Sequence, residues 1–326
     1  MLIGAPPAPD AAISVVIPAY NAGRTIAPAL ESVLAQSSLP EEIIVVDDGS
    51  ADDTFEIASA FGGIVKVIKQ ANQGSAAARQ TGTDEARGDY IAYLDADDWW
   101  LDNKLAVCRA ILRSQPVNFL FADLRRARHG EAEERFLPRN TSFYPIAEQY
   151  LDRATAVAGI EQLFALPQEQ GLGLILDGFP VYPSTMLVNK QALGAVGGWN
   201  PRFRRSQDFD VAIRLARRFP LHFHNVVGAI LGLHEVNADV RSYAIMQTKG
   251  DIAVLQCHLQ HAEDGASRKQ FAGALGKKYR SLGYLYRQAG DIQRARECYK
   301  EAMKFPAKRL RSGARYLVTS TSYFGV

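Results

Sequence analysis

The chain predicts an α/β protein whose mostly parallel sheet is covered by helices on both faces. Short β-branched apolar runs recur at 13–17, 43–46, 64–68 and 90–94, helical spacing follows each of them, and the first two runs are apolar without alternation. Continuous apolar character is what a strand buried on both faces requires. The alternation of strand and helix is the mark of parallel βαβ units.

Taken in order, helical stretches are expected at 25–36, 53–61 and 75–86, then at 101–114 before a strand at 118–123. The segment 125–178 carries charge runs, Pro138, Pro145, Pro167 and Gly171, and predicts an irregular cover over the cleft. Regular structure resumes with an apolar segment at 184–188, a short helix from Lys190, a Gly197-Gly198-Trp199 turn, a helix at 206–218 and strands across 221–234. From Asp239 onward the pattern is helical. The expected organisation is one domain over 1–238, with a nucleotide half at about 11–123 and an acceptor half at about 124–238, followed by a helical appendage at 239–326.

A length of 326 residues allows one large core with such an appendage, and 47% hydrophobic with 22% charged residues excludes disorder as the main state. A net charge of +2 argues against a nucleic-acid partner, whose phosphates demand a concentrated basic footprint. Cys108, Cys257 and Cys298 fit neither a disulfide framework nor a zinc pattern, so a reducing cytoplasm is the expected location. The first twelve residues lack a signal-peptide pattern, and no apolar run reaches the ~18 residues of a membrane span.

In an open parallel sheet, ligands sit beyond the carboxyl ends of the strands. Four polar segments gather there: Pro18-Ala19-Tyr20-Asn21, Asp47-Asp48-Gly49-Ser50, Gln70 to Gly74, and Asp95-Ala96-Asp97-Asp98. Three carboxylates at one strand end are costly unless a cation offsets them, and oxygen-only ligands favour Mg²⁺ or Mn²⁺; the alternative is a solvated acidic turn. Asp52 and Asp53 precede a helix and read as capping residues, whereas Asp48 suits a base N–H or a ribose hydroxyl. No Walker loop and no Gly-x-Gly-x-x-Gly follows the first strand, so phosphates would be held through a metal.

Ser14 to Asn21, Ile44 to Ser50, Asn72 to Arg79 and Tyr93 to Asp98 together resemble the N-terminal half of the family 2 glycosyltransferases with the GT-A fold. The resemblance implies that Pro18, Ala19 and Tyr20 pack along the nucleotide, that Asp48 bonds the base with help from Arg79, that Asp95 touches the ribose and that Asp97 binds the metal. Gln80 stands where Asn is usual.

In the second half, Gln207-Asp208 resembles the family's Glu-Asp catalytic pair, with Gln in place of Glu, and follows the similarly matching Gly197-Gly198-Trp199. The resemblance makes Asp208 the general base, with Asp210 as the alternate. Read without it, Ser206 caps the helix and Asp208 only favours its positive end. Phe209, Ala212, Ile213 and Ala216 are expected to face the core. His234 ends an apolar strand where the family often carries a His near the metal or diphosphate; alone, it reads as structural.

The implied activity is inverting transfer of a sugar from a nucleotide diphosphate sugar, such as a UDP-sugar, to a hydroxyl of a glycan or glycolipid acceptor in envelope polysaccharide assembly, with Mn²⁺ or Mg²⁺ as cofactor. The rival readings are a sugar nucleotidyltransferase, which would release pyrophosphate from a nucleoside triphosphate, and a non-catalytic carbohydrate-binding or scaffold protein. Near the C-terminus, Leu282, Gly283, Tyr286, Ala295, Tyr299 and Ala302 resemble a single tetratricopeptide repeat, or close the domain as a plain helical hairpin. Lys304, Lys308, Arg309, Arg311 and Arg315, interleaved with aromatic and leucine residues, suit peripheral contact with an anionic membrane face or a solvated helical face.

Overall fold

Seven consecutive buried residues make β1 (Ile13–Ala19) a central strand, paired in parallel with β2 (Glu42–Asp47) on one side. The computed structural model describes residues 11–233 and 240–305. Helix α1 (Ile26–Leu34) buries Ile26, Ala29, Leu30 and Val33 at helical spacing. Helix α2 (Thr54–Ser59) then leads to the half-exposed edge strand β3 (Val65–Lys69).

Helix α3 (Ser75–Glu85) lies close on β1 and β2 because Gly82 offers no side chain: a Cβ there would sit 2.4 Å from Val16 Cγ1. β4 (Tyr90–Tyr93) pairs with the other edge of β1. The order β3-β2-β1-β4 therefore reverses direction at β1, where an open sheet leaves a crevice for a ligand.

The chain continues through β5 (Trp99–Trp100), α4 (Lys104–Ser114) and β6 (Phe119–Ala127). Next come α5 (Asn140–Phe143), α6 (Ile146–Leu151), β7 (Thr155–Ala156), β8 (Leu163–Leu166) and α7 (Gln168–Leu176). β9 (Met186–Asn189), α8 (Lys190–Ala195), α9 (Gln207–Arg218) and β10 (Leu221–Gly232) complete this part.

The ten strands among the described residues form one sheet, ordered β3-β2-β1-β4-β9-β6-β10-β8-β7, with β5 paired to β10. β9, β8 and β5 run against the other seven strands, which share one direction. The fold class is thus the mostly parallel α/β sheet read from the sequence.

The segment 125–178 departs from the expected irregular cover. Its β8 pairs antiparallel with β10 and its β7 with β8, so the segment widens the sheet. Its α7 buries Leu172, Leu174, Ile175 and Leu176, and Gly171 lies against Leu221 of β10.

The chain divides into two compact units, Met1–Leu233 and His234–Val326. The second contains α10 (Val240–Gln260), α11 (Gly265–Gln288) and α12 (Ile292–Met303). Asp264 and Asp291 cap α11 and α12 by accepting backbone N–H groups three residues on. Gly290, at φ +81°, makes the turn between these two helices, and Gly283 lets the Tyr299 ring approach α11. Among the described residues no helix is long and apolar enough to cross a membrane.

Candidate active site

The loops after β1 and β2 are laced together by side chains. Asn21, held left-handed at φ 49°, donates its N–H to Ser50 Oγ (2.9 Å), and its own Oδ1 accepts the N–H of Ala51 (2.9 Å). Asn tolerates this backbone region better than most residues. Pro18 and Ala19 are buried at the end of β1, and Tyr20 just beyond them is 55% exposed. An aromatic ring held by rigid backbone at a strand end is suited to stacking on a planar base. Asp52 accepts from Gly23 N–H and from both the N–H and the hydroxyl of Thr54; the Thr54 hydroxyl bond leads in holding its carboxyl below the ordinary range. Asp53 occupies the N-cap position of α2 without a side-chain cap bond, so of the two expected capping residues it is Asp52 whose carboxylate bonds the helix start.

Asp48 is buried and already multiply bonded. Its Oδ1 accepts from Gln70 Nε2 (2.7 Å) and Gln73 N–H (2.9 Å), and its Oδ2 accepts from Gly74 N–H (2.7 Å). These bonds shape the 70–74 loop, in which Gly74 takes φ +91° and opens α3. A carboxylate offers about four acceptor positions, so three internal bonds leave roughly one for a ligand.

From α3, Arg79 reaches both the end of β4 and the start of α9. Its Nη2 donates to Asp95 Oδ1 (2.5 Å), its Nη1 donates to Gln207 Oε1 (3.0 Å), and its guanidinium lies 4.9 Å over the Trp199 ring. Trp199 in turn meets Tyr93 edge-on at 5.0 Å; the Tyr93 phenol shares a hydrogen bond with Thr83, and burial pushes its pKa up to about 12. Gln80 now has a structural account: its Oε1 accepts the Trp199 N–H (2.7 Å) and its Nε2 donates to Asp84. Gly198, at φ +65°, provides the room, since a Cβ there would strike Gln80.

The acidic motif after β4 divides by burial. Asp98 is buried; its Oδ2 accepts from the Ser184 hydroxyl (2.5 Å) and its Oδ1 from the Gly232 N–H (2.9 Å). The same Ser184 Oγ accepts the Asp95 N–H (3.0 Å), and the Ser184 carbonyl accepts from Trp100 Nε1 (2.8 Å). Asp98 therefore brackets the end of β10 to the end of β4. Burial first, then the neighbouring charges of Asp97 and Asp95, drive its pKa well above the usual carboxylate range.

Asp95 and Asp97 are half-buried. The repulsion felt at Asp98 is what a cation at this strand end would relieve, and an all-oxygen donor set suits a hard divalent ion. Among the described residues no three His, Cys, Asp or Glu side chains gather as a metal site. The expected ligand His234 lies outside the described residues.

Helix α9 brings the second half to the same place. Ser206 occupies its N-cap position in a left-handed conformation (φ 57°), and its side chain is not the capping group expected of it. Gln207, buried, accepts from Arg79 and from Ser75 Oγ (2.9 Å), which fastens the first turn of α9 to α3. Asp208 is half-buried, and its Oδ1 accepts the Phe209 N–H (2.9 Å).

Asp210, the alternate base, is buried in an ion pair with Arg214 (2.6 Å), whose Nη1 also donates to the carbonyls of Val196 and Gly198. That pair fastens the turn before α9, a structural task. Phe209 is only half-buried; the buried face is Val211, Ala212, Ile213, Leu215 and Ala216. Ser75 and Ser184 escaped the sequence reading because their partners lie 132 and 86 residues away.

Residues 14–160 match the family model for glycosyl transferase family 2. The Escherichia coli protein WfgD, a UDP-Glc:alpha-D-GlcNAc-diphosphoundecaprenol beta-1,3-glucosyltransferase, is 34% identical over 116 residues, 35% of this chain and 46% of WfgD. WfaP, an Escherichia coli protein with the same activity, is 28% identical over 180 residues, 55% of this chain and 61% of WfaP. The chain thus spans about half the length of these relatives.

Among solved structures, the mannosyltransferase PcManGT from Pyrobaculum calidifontis, in complex with GDP-Man and Mn2+, aligns over 97% of this chain and 82% of its own with a TM-score of 0.62 at 16% identity. S. aureus TarS 1-349 in complex with UDP-GlcNAc aligns over 90% and 92% with a TM-score of 0.55 at 15% identity. At such identities the likeness establishes the fold alone, a GT-A type sheet with helices following it.

Proposed function

We infer that the chain is a family 2 glycosyltransferase that moves a sugar from a nucleotide diphosphate sugar to an acceptor hydroxyl, in the assembly of envelope polysaccharide or glycolipid. One observation supports this reading: Gln207, the chain neighbour of the proposed base Asp208, shares Arg79 with Asp95, which joins the start of α9 to the nucleotide motifs of the first half. The matched family and the relatives' activities support it. A UDP-sugar is the proposed donor, because WfgD and WfaP use UDP-Glc.

In this reading Tyr20 stacks on the base at the mouth set by Pro18 and Ala19, Asp48 offers its remaining acceptor position to the base, and Asp95, fixed by Arg79, faces the ribose. Asp208 accepts the proton of the acceptor hydroxyl as its oxygen attacks the anomeric carbon from the face opposite the nucleotide, which inverts the configuration. A carboxylate is a weak base for an alcohol, so the proton moves late, and such a base contributes about 10²–10⁴-fold. Holding both substrates in line supplies a larger share.

Asp97 and His234 are the residues that would hold Mn²⁺ or Mg²⁺. The ion, when bound, neutralises charge developing on the departing diphosphate.

The test is a melting-temperature screen with UDP, GDP, dTDP and CDP, with and without Mn²⁺, followed by UDP release from UDP-sugars. Selective binding to the folded state raises the melting temperature, and a rise with UDP plus Mn²⁺ is expected. No nucleotide response and no UDP release would reject the reading.

We further assign the α11–α12 hairpin as a single tetratricopeptide-like unit and the basic segment from Lys304 as a peripheral contact for an anionic membrane face. Vesicle binding that survives deletion of 304–326 would reject the membrane assignment.

A further inference from the structure

Gln207 stands where the resembled motif carries Glu, and its surroundings ask for an amide. Its Oε1 accepts two bonds, from Arg79 Nη1 (3.0 Å) and Ser75 Oγ (2.9 Å), and its Nε2 donates to the Arg204 carbonyl (3.1 Å). The orientation of the amide follows from its neighbours: a guanidinium only donates and a carbonyl only accepts, so the oxygen must face Arg79 and the nitrogen Arg204. Both Gln207 and Arg79 are buried, at 7% and 6% exposure, so neither set of bonds is readily replaced by water.

The three contacts tie the start of α9 to α3 and to its own lead-in segment. Ser75 and Arg79 belong to α3, the helix opened by the loop that Asp48 organises. Arg204 belongs to the segment that enters α9 through the left-handed Ser206. Asp208 is the next residue along the helix.

We propose that Gln207 is a positioning residue, a two-sided clamp that fixes the start of α9, and with it Asp208, against the nucleotide half, and that the clamp requires a group that both accepts and donates. The claim rests on the assignment of Asp208 as the base. An ionised carboxylate at 207 could still take the bonds from Arg79 and Ser75, but its second oxygen would face the Arg204 carbonyl, two acceptors at hydrogen-bond distance. A protonated carboxylic acid, having one donor and one acceptor, would restore the arrangement. The clamp also leaves Arg79 with a single carboxylate partner, Asp95, whereas Glu at 207 would add a second negative charge beside a site meant for a diphosphate.

The experiment uses the full chain with Mn²⁺, measuring UDP affinity by calorimetry and donor turnover by UDP release, for the wild type, Gln207→Met and Gln207→Glu. Gln207→Met keeps the volume and loses the clamp; turnover is expected to fall about 10- to 100-fold, the order of loss that small misplacements of a reacting group produce, while UDP affinity stays within about threefold. Gln207→Glu is isosteric and guards against a folding failure of the Met variant. Its turnover is expected to fall as that of the Met variant does, because Arg79 and Ser75 hold the carboxylate ionised and its second oxygen then faces the Arg204 carbonyl.

A Met variant or a Glu variant with wild-type turnover would overturn the clamp. A wild-type chain that binds UDP and releases none from any UDP-sugar would instead overturn the transfer reading, before any variant is compared.

Discussion

Two carboxylates are proposed to have separable jobs, and the separation is testable one residue at a time. Asp208 is proposed to act on the acceptor proton and to make no essential contact with the donor, so Asp208→Asn is expected to bind UDP normally and to lose transfer by about 10²–10⁴-fold. Comparable transfer by the variant would remove Asp208 from the mechanism. Asp97→Ala is expected to lose the Mn²⁺-dependent part of UDP binding while leaving metal-free binding unchanged, read as the difference between calorimetric titrations with and without the ion. Asp98 predicts neither behaviour, because its oxygens are committed to Ser184 and Gly232. By resemblance the sequence assigns Asp95 to the ribose and Asp97 to the metal and leaves Asp98 without a role. What separates them is a serine 86 residues away, which no local pattern reveals, and the same holds for the three backbone and amide donors that Asp48 already satisfies.

At the level of elements, the parallel strands of the nucleotide half were legible because burial on both faces leaves an unbroken apolar run, as in Ile13 to Ile17 and Ile43 to Val46. The helix α9 was legible too, except that Phe209 lies at the margin of its buried face. β7 and β8 were not, because strands of two and four residues owe their existence to pairing at the sheet edge beyond β10 and carry little pattern of their own. α3 offers a test of element packing. At Gly82 a methyl group would press on Val16 and Val46, β-branched side chains of β1 and β2 with little freedom to turn aside. Ala is a better helix former than Gly by about 1 kcal/mol, yet overpacking a core costs about 1–3 kcal/mol, so Gly82→Ala is expected to lower the melting temperature. Measured melting at or above that of the wild type would show that β1 and α3 can separate without cost.

Across the whole molecule, stability should respond to pH through two histidines of β10. His222 and His224 are buried in the sheet, and burial lowers the pKa of each from 6.5 to about 4; at His224 the charges of Lys104 and Arg139 act in the same direction. Because the folded values lie below the unfolded one, the unfolded chain takes up more protons as pH falls. Their contribution to stability is therefore complete above pH 6.5 and is lost as the pH drops to about 4, each histidine contributing up to about 1.4 kcal/mol per pH unit within that window. Asp98 works in the opposite direction, since a carboxyl whose folded pKa is raised favours the folded state as it protonates. The histidine share is consequently isolated by difference: His222→Gln combined with His224→Gln is expected to flatten the fall in unfolding free energy between pH 6.5 and 4.5 relative to wild type, even if the variant is less stable at pH 7.5. Denaturant titrations across that range give the slope directly. Equal slopes for the two proteins would mean that these imidazoles reach protons as easily in the folded sheet as in the open chain, and that β10 is not the sealed strand its burial describes.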